Sequence, residues 1–151
     1  MKIVIEKAAR RLTVWQDGRA RWHCAVALGR CPEGHKRLQG DGRTPEGEYI
    51  LCLTKAQGKY GRSLGLNYPN RADAQAALAD GRIDEHTYQA VFSRLDAGER
   101  PPWGTALGGE IYIHGGGTAS DWTQGCIALN DADMERLYAL RQAIDRVEIL
   151  P

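Results

Sequence analysis

His114 and Cys126 stand twelve positions apart in a glycine-rich stretch of this 151-residue chain. His114 is followed by Gly115, Gly116 and Gly117, and Cys126 closes the run Thr123-Gln124-Gly125-Cys126. A free thiol has a pKa of about 8.5, so only a few per cent is thiolate at neutral pH. A neighbouring imidazole raises that fraction by forming an ion pair, so one cysteine and one histidine are the minimal apparatus for thiol acyl transfer. The pattern predicts Cys126 as nucleophile and His114 as its base. A third group must hold the imidazole. The carbonyl of Gly115 or Gly116 meets that need, as does the carboxylate of Asp121, and spacing does not choose among them. The backbone N–H groups of Gly125 and Cys126 are expected to face the oxyanion. Glycines beside a reactive residue let backbone approach substrate closely and aim N–H groups at a ligand.

The elements that must position this pair follow from patterning. Lys2–Glu6 and Arg11–Gln16 alternate like short strands, and Asp17-Gly18 is a two-residue hairpin signal. The return run Arg19–Leu28 sets Ala20, Trp22, Cys24, Val26 and Leu28 on one face. From Gly29 to Gly47 the chain is rich in glycine, proline and charge, and a loop of that length usually has a function. Glu48–Leu53 reads as a strand. Asn70 caps a helix over Arg71–Ala79, and Asp84 caps a second over Glu85–Asp96, where Tyr88, Val91, Phe92 and Leu95 form an apolar stripe. This helical hairpin, about residues 70–102, is either a packing element or a wall over the site. Glu110–Ile113 is a strand running into His114, and Tyr112, two residues earlier, shares the histidine's face. Asn130 or Asp131 begins a helix to about Ala143, with Asp131, Asp133 and Glu135 in the turns that the helix dipole favours. Arg146–Leu150 is a last strand. The expected fold class is one β-rich α+β domain over 1–151 with a helical-hairpin insertion and a late helix.

Composition narrows the functions. With 42% hydrophobic and 26% charged residues the chain is expected to be soluble and globular. A net charge of +1 offers no footprint for nucleic acid. No apolar run approaches the ~20 residues of a membrane helix, so no membrane insertion is expected. No phosphate-binding G-x-x-x-x-G-K-[ST] motif is present. Cys24 and Cys52, in apolar runs, are expected to be buried hydrophobes. Cys31 lies four residues before His35, but no second ligand pair completes a metal site, so no metal and no cofactor are expected. His23, His35 and His86 are read as surface or packing histidines. Trp122, inside the reactive loop, either walls the site or anchors the loop. Arg43, Arg62 and Arg71 are candidates for meeting substrate carboxylates.

The segment I-H-G-G-G…T-Q-G-C-I-A-L resembles the signature of the L,D-transpeptidase catalytic domain, the YkuD-like family, in which an H-G motif precedes S/T-x-G-C and an apolar pair. His114 matches the histidine, Thr123 the Ser/Thr, Gly125 the glycine and Cys126 the nucleophile. Upstream, Gly40–Tyr49 is similar to the family's T-P-x-G-x-Y element, and the hairpin of residues 11–29 to its opening strands. The region from Tyr68 to Gly109 is similar to a helical insertion in one subgroup. Gln124 stands where many members have histidine, Ala128 where many have arginine, and the interval from His114 to Cys126 is shorter than in many members.

The resemblance implies a sandwich-like catalytic fold and an acyl donor that is a peptidoglycan tetrapeptide stem. It implies that Cys126 forms a thioester with release of D-alanine, and that an amine of a second stem resolves it. Water as resolver would make the enzyme an L,D-carboxypeptidase. Other expectations are a cysteine amidase of different specificity or a non-catalytic peptidoglycan-binding module. Thr123, Tyr112, Trp122 and, by family analogy alone, Tyr68 are expected to line the substrate site. The family implies the cell envelope or periplasm. Met1–Glu6 shows no secretory apolar core, which leaves a cytoplasmic place on precursor stems as the alternative.

Overall fold

The computed structural model describes residues 1–151. Its opening strands follow the alternation. β1 (Lys2–Glu6) pairs antiparallel with β2 (Arg11–Gln16), which pairs with β3 (Arg19–Ala25) across the turn at Asp17-Gly18. Both turn residues have positive φ, 52° and 72°, the backbone twist that a tight hairpin needs. β3 ends at Ala25, earlier than patterning predicts. Beyond it the chain leaves the sheet, and Ala27 bridges instead to Ala128.

The expected strand Glu48–Leu53 is two strands in different sheets. β4 (Gly47–Tyr49) adds to the first sheet and β5 (Leu51–Lys55) begins the second. The break falls at Ile50, whose side chain is exposed and whose N–H donates to the Asn67 side chain at 2.8 Å. β6 (Ser63–Leu66), β7 (Tyr112–His114) and β8 (Ile127–Ala128) complete the second sheet, and β9 (Arg146–Leu150) lies parallel to β1 in the first. The orders are β3-β2-β1-β9-β4 and β5-β6-β7-β8.

One face of each sheet is apolar, and these faces meet. Ile3, Ile5, Leu12, Val14, Val147 and Ile149 from the first sheet join Leu64, Leu66, Ile113 and Ile127 from the second in one cluster. Met134, Leu137 and Tyr138 of α3 (Asp131–Ala139) close it. The late helix ends sooner than predicted, and a 3-10 turn, Arg141–Ala143, follows it.

α1 (Arg71–Ala79) and α2 (Glu85–Asp96) form the hairpin and have a small core of their own, with Ala74, Ala77, Ile83, Val91 and Leu107. Asn70 and Asp73 make a capping box on α1, each side chain taking the other's backbone N–H at 2.9 Å. Asp73 also accepts the Tyr49 hydroxyl at 2.9 Å and stands 2.9 Å from His35 Nε2. His35 is therefore a strut between the long loop and the hairpin. The loop is braced on its other side by Lys7, whose buried Nζ donates to the carbonyls of Gly34 and Thr44 and to Glu46.

Candidate active site

Ile113 is fully buried in the core, so strand alternation turns Tyr112 and His114 to the opposite face. β7 runs between β6 and β8, with Ser63 beside His114 on one side and Ala128 on the other. The parallel pairing of Ile113 with Ile127 brings Cys126, one residue before β8, level with Tyr112. The Tyr112 N–H donates to Cys126 Sγ at 3.4 Å, and the thiol donates to the Glu110 carbonyl at 3.4 Å. Strand spacing and rise place the Cα atoms of His114 and Cys126 roughly 8 Å apart on one face, within reach of two inclined side chains. Both line one cleft of about 470 Å³, which Tyr60, Trp103, Glu110 and Trp122 also wall.

Of the three groups that sequence offered as holder of the imidazole, the Gly115 carbonyl has the geometry. It stands 2.5 Å from His114 Nδ1. A carbonyl only accepts, so Nδ1 carries the proton and Nε2 keeps its lone pair. Asp121 is engaged elsewhere, with Arg10 at 2.9 Å and the Leu28 N–H at 2.9 Å. A side chain at Gly115 would displace the Asp131 carboxylate, because an added Cβ would lie 2.5 Å from Asp131 Oδ1.

Burial sets the charge state of the pair. It lowers the His114 pKa below its ordinary value, against the opposing effect of the Gly115 hydrogen bond. It raises the Cys126 thiol, helped by Glu110 and opposed by the Tyr112 N–H and Lys36. Both shifts favour the neutral thiol and the neutral imidazole at neutral pH. Burial thus works against the ion pair expected from sequence, because both charged forms lose hydration in this cleft.

The loop before Cys126 is held by its own threonine. Thr123 Oγ1 donates to the Cys126 carbonyl at 2.7 Å and accepts the Gly125 N–H at 3.1 Å. This corrects two expectations. The Gly125 amide is committed within the loop and does not face an oxyanion. Thr123, although it borders the cleft, uses its hydroxyl on backbone and is 4% exposed. Gly125 has φ +141°, and an added Cβ would meet the Arg43 carbonyl at 2.8 Å, so glycine is required there.

The other predicted lining residues divide. Trp122 walls the cleft, pinned by its Nε1 donating to the Gly117 carbonyl at 3.0 Å. Tyr112 lies behind the wall. Its ring packs edge-on against Trp103, with the Lys55 ammonium 4.8 Å from its centre. Tyr68 is a core residue, 1% exposed, and its hydroxyl donates to the Leu107 carbonyl at 2.9 Å. Its place beside the T-shaped His35 and the tilted Tyr49 explains the misreading: it belongs to the hairpin's base, not to the cleft.

The arginines named from sequence do not reach the cleft. Arg62 is taken by Glu135, Arg71 by Asp96, and Arg43 runs beside Gly34. Arg30, Lys36 and Lys59 are the cations that border it. Sequence reasoning also missed Tyr60 and Trp103, which sit in irregular segments with no periodic signal. Cys24 is buried as expected, but Cys52 is partly exposed on the edge strand β5. No group of three or more His, Cys, Asp or Glu side chains is gathered to hold a metal ion, and no helix is long and apolar enough to cross a membrane.

The fold has counterparts. The family model YkuD, the L,D-transpeptidase catalytic domain, matches residues 1–149, and the chain belongs to that family. Among solved structures, the helical cell shape determining protein Pgp2 from Campylobacter jejuni is 24% identical with a TM-score of 0.67, over 98% of this chain and 46% of that one. Bd1075 from Bdellovibrio bacteriovorus is 20% identical, TM-score 0.57, over 98% and 46%. An L,D-transpeptidase from Stackebrandtia nassauensis is 14% identical, TM-score 0.57, over 99% and 55%. At these identities the likeness is one of fold, and the chain spans about half the length of the structures it matches. No curated protein matches it.

Proposed function

We propose that residues 1–151 form a single catalytic domain, a cysteine L,D-transpeptidase acting on peptidoglycan stem peptides. The observation that carries this reading is the shared cleft. Cys126 and His114 line one cavity, with Nδ1 of the histidine tied to the Gly115 carbonyl so that Nε2 is the free base.

His114 Nε2 takes the thiol proton as Cys126 Sγ attacks the carbonyl carbon of the stem's third residue. The carbonyl electrons move onto oxygen, and the Cys126 N–H stabilises the oxyanion. Collapse breaks the amide bond, and His114 returns the proton to the leaving D-alanine amine. The thioester is then attacked by an amine of an acceptor stem, whose proton passes through His114, and the thiol leaves. Water in place of the amine yields the shortened stem. The need for neutral Nε2 at the first step agrees with the depressed pKa of His114. The Campylobacter jejuni protein of this fold is a helical cell shape determining protein, and a role in cell shape is part of this proposal.

Intact-mass analysis after mixing with a defined tetrapeptide stem tests the reading. A thioester adduct on wild type, absent in Cys126→Ala, with D-alanine released, is the expected result. D-alanine release that survives Cys126→Ala would overturn it.

A further inference from the structure

Tyr60 belongs to the irregular segment between β5 and β6 and is 38% exposed, yet its ring is placed with care. It lies parallel to the His114 imidazole, centroids 4.5 Å apart and planes inclined by 16°. Trp122 meets the same imidazole edge-on at 5.6 Å, and meets Tyr60 edge-on at 5.1 Å. The backbone of Tyr60 also packs on the glycine that holds the histidine, since a Cβ on Gly115 would lie 3.3 Å from the Tyr60 carbonyl. One hydrogen bond at Nδ1 fixes a point of the imidazole but leaves the ring free to rock about it. A stacked face and an orthogonal edge remove that freedom.

We propose that Tyr60 is a positioning residue for the proton transfer: its ring, with Trp122, clamps the His114 imidazole in the plane that points Nε2 at the Cys126 thiol. The inference rests on the reading of His114 as the base for Cys126. Tyr60 also covers one imidazole face from water and so contributes to the burial that keeps Nε2 unprotonated. The charged and titratable groups about this site are Cys126 before β8, Lys59 with its ammonium 5.3 Å from the Tyr60 ring centre, Asp131 of α3 behind Gly115, and Arg30, Lys36 and Glu110, which line the same cleft. None of them lies between the two stacked rings, so the stacking is separable from their charge.

The test compares Tyr60→Ala, Tyr60→Phe and His114→Ala by the pH dependence of Cys126 alkylation with iodoacetamide, on the full chain. Tyr60→Phe keeps the stack and is expected to retain the wild-type profile. Tyr60→Ala is expected to lower the rate at neutral pH about five- to tenfold, the scale of an aromatic pair contact. It is also expected to move the acid limb upward in pH as the ring becomes hydrated. A merely structural role would leave that limb in place. If Tyr60→Ala overlays wild type, or if Tyr60→Phe behaves like Tyr60→Ala, the clamp is wrong. If His114→Ala itself leaves the profile unchanged, the base assignment fails first, which separates the two failures. Should Tyr60→Ala unfold, Tyr60→Leu takes its place, since it fills the space without a ring. A lowered rate with the acid limb moved upward supports the clamp, and a wild-type profile overturns it.

Discussion

Replacing His114 with alanine probes the neutral pair most directly. In wild type the histidine titrates below its ordinary 6.5 because it is buried, so above that pH it is mostly the neutral base. The thiol titrates above its ordinary 9.0 for the same reason. A pair of this kind gives an acylation rate that falls at acid pH as Nε2 is protonated, then stays level between about pH 7 and 9. Without the imidazole the rate must follow the thiolate alone. At pH 7 that fraction is about 1% or less for a thiol titrating at 9 or above, and it rises about tenfold per pH unit. The expected profile of His114→Ala is therefore a line of unit slope in log rate where wild type is flat. The deficit at pH 7 should be about 10²- to 10⁴-fold, the range for a positioned general base. Rapid-quench intact-mass measurement of acylation by a tetrapeptide stem gives both profiles. A level His114→Ala profile, or a wild type that itself climbs with unit slope, would refute the reasoning.

Other expectations follow from single residues. Asp41 is half-buried, which opposes its charge, but N–H groups of Arg37, Leu38 and Arg43 and the Lys36 ammonium hold its pKa down at about 2 against an ordinary 3.8. A depressed carboxylate stabilises the fold above its unfolded pKa and loses that effect as pH falls through the folded one. Asp41→Asn should then cost about 2 kcal/mol at pH 7, a gap closing between about pH 4 and 2 in denaturant titrations. Thr123→Val strips the Gly125 N–H of its acceptor and should cost about 1–3 kcal/mol and slow acylation, with Thr123→Ser restoring both. Tyr68→Phe tests the core assignment. It should lose about 1 kcal/mol in melting experiments while leaving the stem-peptide KM unchanged.

Much of the fold was legible because its signals are local. The hairpin at Asp17-Gly18, the Asn70 and Asp84 caps and the strand ending at His114 are each written in a few neighbouring residues. The sheet change at Ile50 was not, since apolar residues run on through it and the Asn67 side chain that bonds its N–H is 17 residues away. β6 was missed because Ser-Leu-Gly-Leu has a weak strand signal. Gly65 sits in it because the Tyr112 ring covers the spot, 3.1 Å from where a Cβ would be. At the site, His114 and Cys126 stood out by residue type and glycine context. Their surroundings did not. Tyr60 comes from a glycine-rich turn, and the direction of the Gly125 N–H depends on a threonine hydroxyl that sequence reading assigned to substrate.

The long loop of residues 29–47 forms one lip of the cleft and is stitched from two sides, by the Lys7 ammonium and by Asp73 through His35. The opposite lip, around Tyr60, has one local backbone bond, Gly61 to Gly58 at 3.1 Å, and exposed side chains. Few bonds and little burial are what make a segment cheap to open. The two lips are therefore held differently: the loop is tied by polar bonds from distant parts of the chain, while the segment around Tyr60 rests on the contacts of its ring with His114 and Trp122.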